Sequence, residues 1–246
     1  MQEILATDKH RLTQKKSEEF RVSPLHKENH MEERILRHVD VLVERYPILA
    51  KCKDDIIKAY GILEASYANG GKLLVAGNGG SAADSEHIVG ELMKEFKLKR
   101  KIYSTQAENL KKIDPELGPI LAENLQGALP SISLVGEAAL STAYMNDAVP
   151  ELVFAQQVNG YGKPEDVFLG ITTSGNSKNI LYAAVTAKSK GLKVIGLTGQ
   201  KENKLEKFAD VCIHVGETET YKIQELHLPV YHCLCLMLES HFFGED

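Results

Sequence analysis

Apolar residues recur along this chain with two different periods, and the two alternate. Short apolar runs at 73–76 (LLVA), 131–135 (SISLV), 166–172 (DVFLGIT), 193–198 (KVIGLT) and 211–215 (VCIHV) have the length of buried strands. Between them apolar positions return every three or four residues, as on an amphipathic helix. The first such stretch, 32–46, aligns Ile35, Val39, Leu42 and Val43. The second, 53–69, aligns Ile56, Ile57, Tyr60, Leu63 and Tyr67 and is stopped by Asn69-Gly70-Gly71. A helix follows the strand at 73–76, and others are expected at 138–145, 150–159, 179–190 and 204–208, with a long one at 221–240. Pro150 suits a first helical position, and Gly191 closes the helix before it. Strand and helix in steady alternation predict an α/β fold: a five-stranded parallel sheet with helices on both faces, joined by right-handed crossovers.

Two stretches depart from the pattern. Residues 1–30 are polar, without sustained periodicity, and read as an N-terminal extension of a single domain at 31–246. Residues 97–127 carry a basic run (KLKRK, 97–101), Asp114-Pro115 and Gly118-Pro119, with helical character near 108–112 and 120–126. This segment reads as an insertion or lid. Its basic run reads as a solvated surface, with a phosphate-binding contribution as the sharper alternative.

Composition narrows the function. The 246 residues are 43% hydrophobic and 26% charged, enough for a sizeable core. A net charge of −5 gives no electrostatic case for nucleic acid. No apolar run approaches the ~20 residues of a membrane span, and the polar N-terminus lacks a secretory apolar core. Cys52, Cys212, Cys233 and Cys235 have neither metal-site nor disulfide spacing and suit reduced thiols in a cytoplasmic protein.

The candidate chemistry sits where expected strands end. Gly77-Asn78-Gly79-Gly80 is a turn that glycine makes without strain, and Ser81 is placed to cap the following helix. Thr172-Thr173-Ser174-Gly175-Asn176-Ser177 offers hydroxyl donors at a second strand-to-helix turn, where helix N–H groups also meet anions. Neither turn is a P-loop, and 77–82 lacks the third glycine of a dinucleotide fingerprint. A monophosphate cradle is the better fit, with no nucleotide cofactor. His87 and Glu91, at i and i+4, share a helix face. Gln224 and His232, eight apart, lie about 80° from one another around an ideal helix. Each is commonly a surface pair or a satisfied core residue. Together the four could form an N/O site for zinc or another divalent ion. Glu225 and His227 are expected to point away, as capping or interface residues, and Tyr221 to border the site or join the core.

GNGGSAADSEH with Glu91, LGITTSGNSKN and IQELHLPVYH together resemble the phosphoheptose isomerase branch of the sugar isomerase (SIS) domain family, over roughly 32–239. The resemblance implies a three-layer α/β/α, flavodoxin-like fold and a homotetramer with sites between subunits. It implies zinc held at His87, Glu91, Gln224 and His232. It places a sugar phosphate against Asn78, Gly79, Ser81, Asp147, Thr172, Thr173, Ser174, Ser177 and Gln224. Met145, Ala148-Val149 and Glu137 depart from the branch pattern where the sugar body would lie. The activity implied is ketose–aldose isomerisation of sedoheptulose 7-phosphate to a heptose 7-phosphate. Glu91 would act as base and His232 as acid through an enediol. The alternatives are a non-catalytic SIS module, acting as sugar-phosphate sensor or as protein adaptor of the replication-initiator-associating type, and an isomerase of a different sugar phosphate.

Overall fold

Strand β1 (Leu73–Gly77) is buried at all five positions because it has a neighbour on each side and helices above and below. The chain reaches it through α1 (Glu33–Arg45) and α2 (Lys53–Ala68), joined by a 3-10 turn at Pro47–Cys52. Helix α1 buries Ile35, Val39 and Leu42, the residues its period aligned. Gly70, at φ 77°, turns the chain out of α2. After β1 come α3 (Gly80–Met93), α4 (Ser104–Ile113), α5 (Leu117–Asn124), β2 (Ser131–Ser133), α6 (Ala138–Asp147) and α7 (Val153–Tyr161). The chain continues through β3 (Val167–Ile171), α8 (Lys178–Ser189), β4 (Lys193–Thr198), β5 (Val211–His214) and α9 (Thr220–Phe243). This is a computed structural model describing residues 33–244, so the extension at 1–30 lies outside the described residues.

All five strands are parallel, in the order β2-β1-β3-β4-β5. Alternate residues divide the core between two faces. Leu74, Ala76, Phe168 and Val194 pack with Val158 of α7 and with Ile180, Ala183 and Ala187 of α8. The other face is covered by α2, α3 and α9. The three layers follow, in the α/β class read from the sequence. Strand β2 stops at Ser133, short of 135, and 204–208 contains a 3-10 turn, Leu205–Lys207, rather than an α-helix.

The 97–127 segment is built around α4 and α5, which pack on each other above a bridge between Lys101 and Gln126. Helix α4 buries no residue and α5 only Gly118. The basic run divides sharply. Lys97, Lys99 and Lys101 are exposed, but Arg100 is 2% exposed. Its Nε donates to Glu239 Oε1 at 2.8 Å, and its other nitrogens donate to the carbonyls of Leu92 and Glu91 at 2.8 and 2.9 Å. Arg100 is thus neither solvated surface nor a free phosphate donor. A buried guanidinium needs its charge and donors satisfied, and the end of α3 together with α9 satisfies them.

Candidate active site

The strand order reverses at β1, so the chain leaves β1 toward one face of the sheet and β3 toward the other. A crevice opens between two such strand ends. Gly77 and Ile171 are paired in register, which sets the two expected binding turns side by side.

In the first turn Gly79 has φ 58° and precedes α3, which therefore begins at Gly80. Ser81 is not the cap that the sequence suggested: no side chain caps this helix, and Ser81 is 3% exposed one residue inside it. Glycine's freedom at positive φ lets the helix start early and draws the serine inward. Asn78 is exposed and makes a reciprocal amide pair with Asn179, at 3.0 and 2.8 Å. Asn179, which the sequence places simply at the start of a helix, is the second residue of α8 and ties the two turns together.

In the second turn Thr172 Oγ1 and Ser177 Oγ are 3.0 Å apart. Ser174 Oγ accepts the Asn176 amide at 3.2 Å, and Asn176 Oδ1 accepts the Lys204 amide at 3.1 Å. Thr173, Ser174 and Asn176 line a cavity of about 190 Å³, whose wall also carries Lys201. Gly175 has φ 63°, and a Cβ there would collide with the Asn203 side chain. Gly175→Ala is expected to destabilise the protein by about 1–3 kcal/mol, combining backbone strain with the clash. Urea unfolding checks this; an unchanged midpoint would mean that Asn203 does not hold the loop.

Two turns into α3, His87 and Glu91 meet α9. His87 Nε2 lies 3.0 Å from Glu91 Oε1, and Lys94 Nζ lies 3.4 Å from Glu91 Oε2. His232 completes a group in which one ligand atom from each of His87, Glu91 and His232 lies within 4.8 Å of the others. The His87 and His232 rings meet edge to face at 5.0 Å. His232 Nε2 is buried without a hydrogen-bond partner. Burial, then the neighbouring His87, holds the His232 pKa below its ordinary value, against the pull of Glu91. Imidazole and carboxylate lone pairs converging on one point, one of them orphaned, fit a divalent cation.

Gln224 sits further up α9, with its amide against Gly80: a Cβ on that glycine would lie 2.6 Å from Nε2. Pro229 falls between Gln224 and His232 and removes one helical N–H donor. Asp147 is exposed at the end of α6 and accepts a 2.8 Å hydrogen bond from Asn146. Tyr221 is 56% exposed and belongs to the surface, not the core. His227 is fully buried rather than capping a helix, with its pKa pushed down to about 4 by that burial.

The sequence reading missed Tyr231 and Asp84. The Tyr231 hydroxyl stands 2.9 Å from His87 Nδ1 and donates to Asp84 Oδ1 at 3.2 Å. Burial raises the pKa of Asp84 despite that hydrogen bond. Both residues stood beside quoted motif residues, but a buried tyrosine on an apolar helix looks like core.

The SIS domain family model matches residues 133–237. A phosphoheptose isomerase of Leptospira biflexa is 39% identical over 191 residues, covering 77% of this chain and 86% of its own. One from Rhodospirillum rubrum is 35% identical over 210 residues, covering 85% and 98%. The structure of a Francisella tularensis phosphoheptose isomerase superposes with a TM-score of 0.66 at 29% identity, covering 85% of this chain and 97% of its own. The Neisseria gonorrhoeae phosphoheptose isomerase structure gives 0.64 at 27%, covering 86% and 100%. With the sheet order, the paired turns and the His–Glu–His group in place, this chain belongs to the phosphoheptose isomerase branch of the SIS-domain family and is an isomerase.

Proposed function

We propose that the protein interconverts a ketose phosphate and an aldose phosphate, with sedoheptulose 7-phosphate and a heptose 7-phosphate as the pair. The observation that carries this reading is the convergence of His87, Glu91 and His232 beside an α9 that also lies against the first binding turn. In this reading Thr172, Thr173, Ser174 and Ser177 receive the phosphate. Asn78, Gly79 and Ser81 close on the ligand from the β1 side, and Asp147 and Gln224 meet the sugar body.

Aldose–ketose isomerisation moves a proton between adjacent carbons through an enediol. Glu91 takes the proton from carbon; His87 and Lys94 each face a different oxygen of its carboxylate, which fixes its direction. His232, whose pKa burial and then the neighbouring His87 lower, serves the substrate oxygen as the acid partner. A divalent ion, zinc in the family resemblance, would be held by His87, Glu91 and His232 with Gln224 as a fourth donor, and when bound it would polarise the substrate carbonyl.

We also read the active form as an oligomer, a homotetramer by the resemblance. Helix α6 supports this, since it is rich in apolar residues yet buries none. Residues 97–127 are read as an insertion in the single domain, and 1–30 as an extension of it. Among the described residues no helix is long and apolar enough to cross a membrane.

Metal analysis of the purified protein, with a panel of sugar phosphates followed by NMR, tests the proposal. Bound zinc or a similar ion and turnover of a seven-carbon ketose phosphate are expected. Turnover confined to another sugar phosphate would move the substrate assignment. No metal and no turnover across the panel would favour the adaptor.

A further inference from the structure

His87 touches two different kinds of neighbour. Its Nε2 faces Glu91, and its Nδ1 faces the Tyr231 hydroxyl. Which nitrogen carries the proton decides what the group can hold, since a lone pair binds a cation and an N–H repels one.

The Tyr231 side fixes the answer. Tyr231 has one hydroxyl proton and two possible acceptors, His87 Nδ1 at 2.9 Å and Asp84 Oδ1 at 3.2 Å. The hydroxyl is held deep, since Tyr231 is 1% exposed. Asp84 Oδ2 is already buried without a partner. If Tyr231 gave its proton to His87, Asp84 Oδ1 would face a lone pair, leaving both oxygens of the carboxylate without a protein donor, an unfavourable arrangement. With the proton on the Asp84 side, the phenol oxygen is free to accept, and His87 Nδ1–H donates to it.

We propose that Tyr231, backed by Asp84, is a positioning residue that holds His87 in its Nδ1–H tautomer and so turns a bare Nε2 lone pair toward Glu91 and His232. In this tautomer the bare Nε2 and the Glu91 carboxylate oxygen, 3.0 Å apart, are two facing acceptors, an arrangement that a cation shared between them relieves. His232 Nε2, buried and without a hydrogen-bond partner, is the third polar atom of the group. The edge-to-face packing of Tyr231 on His87, at 5.5 Å, fixes the ring plane as the hydrogen bond fixes the tautomer. In its consequence for metal binding the inference rests on the proposed function; the tautomer itself does not.

The test is ¹⁵N NMR of metal-free protein near pH 8, with His87 assigned by comparison with His87→Gln. Wild type is expected to show His87 protonated at Nδ1 and bare at Nε2. Tyr231→Phe should shift it to Nε2–H or to a mixture, and should weaken zinc binding about 10–100-fold in a competition titration. Asp84→Asn keeps an acceptor for the tyrosine proton and should retain more of the wild-type tautomer and affinity than Tyr231→Phe. A wild-type His87 protonated at Nε2 overturns the proposal even if the tyrosine variant fails to fold. So does a folded Tyr231→Phe protein with the tautomer and zinc affinity unchanged. A wild type that takes up no zinc would instead sink the metal in the proposed function, while the NMR spectrum still decides the role of Tyr231.

Discussion

Glu91→Gln is expected to lower kcat about 10²–10⁴-fold on the true substrate, the range a positioned general base supplies. The substitution is nearly isosteric. It keeps a side chain within reach of His87 and Lys94, and it keeps the main-chain carbonyl that Arg100 grips. What it removes is the capacity to take a proton. Because the phosphate is assigned to the loop at 172–177, KM should move far less than kcat. Zinc content must be measured on the same preparation, because Glu91 is also a candidate ligand. Loss of turnover with metal retained points to the base; loss of both together points to ligation. Full turnover in Glu91→Gln would show that Glu91 is not the base.

The largest stability effect should come from the buried pair Arg100–Glu239. Their side chains are 0% and 1% exposed. Glu239 accepts from Arg100 Nε at 2.8 Å and from the backbone amides of Phe96 and Lys97, both at 2.9 Å. Arg100 in turn supplies donors to the Glu91 and Leu92 carbonyls, which the last turn of α3 leaves without helical partners. Removing one charge leaves the other buried and uncompensated. Glu239→Gln or Arg100→Met is therefore expected to cost about 3–5 kcal/mol. Replacing both with apolar residues should cost less than either single change. Denaturant titration of the three variants checks the ordering, and a single change costing under about 1 kcal/mol would refute it.

The same pair predicts an acid dependence. Burial pushes the Glu239 pKa up, but the two backbone amides and Arg100 outweigh it, so the folded value lies below the ordinary carboxylate range. A depressed folded pKa means stability that is fully present above the unfolded value. It is lost as pH falls through the folded one. The gap between wild type and Glu239→Gln should therefore be widest near neutrality and narrow in acid. A gap that does not narrow would contradict the assignment.

Much of this protein was legible in its residues. The strands at 73–76 and 193–198 and the helices at 53–69 and 179–190 came out within a residue or two, because each period matches one secondary structure and glycine marks the ends. The His87–Glu91 pair was legible for the same reason: i, i+4 on a helix fixes their proximity without help from the rest of the chain. Ser81 was misread as a cap because the signal for Gly79 at positive φ is backbone geometry, not residue pattern. Arg100 was misread because a basic run has the same letters whether solvated or buried. Its partner, Glu239, lies far along the chain.

The sequence by itself determined the layers, the placing of the two turns at strand ends, and three of the four residues it grouped, His87, Glu91 and His232, which the structure brings together. Local periodicity and short spacings carry that information. Only the tertiary structure decided that β1 and β3 are neighbours, that Asn78 clasps Asn179, and that Tyr231 and Asp84 stand behind His87. These are contacts between segments about a hundred residues apart or more. They follow from which strands pair and which helix faces meet, and no local pattern encodes that choice.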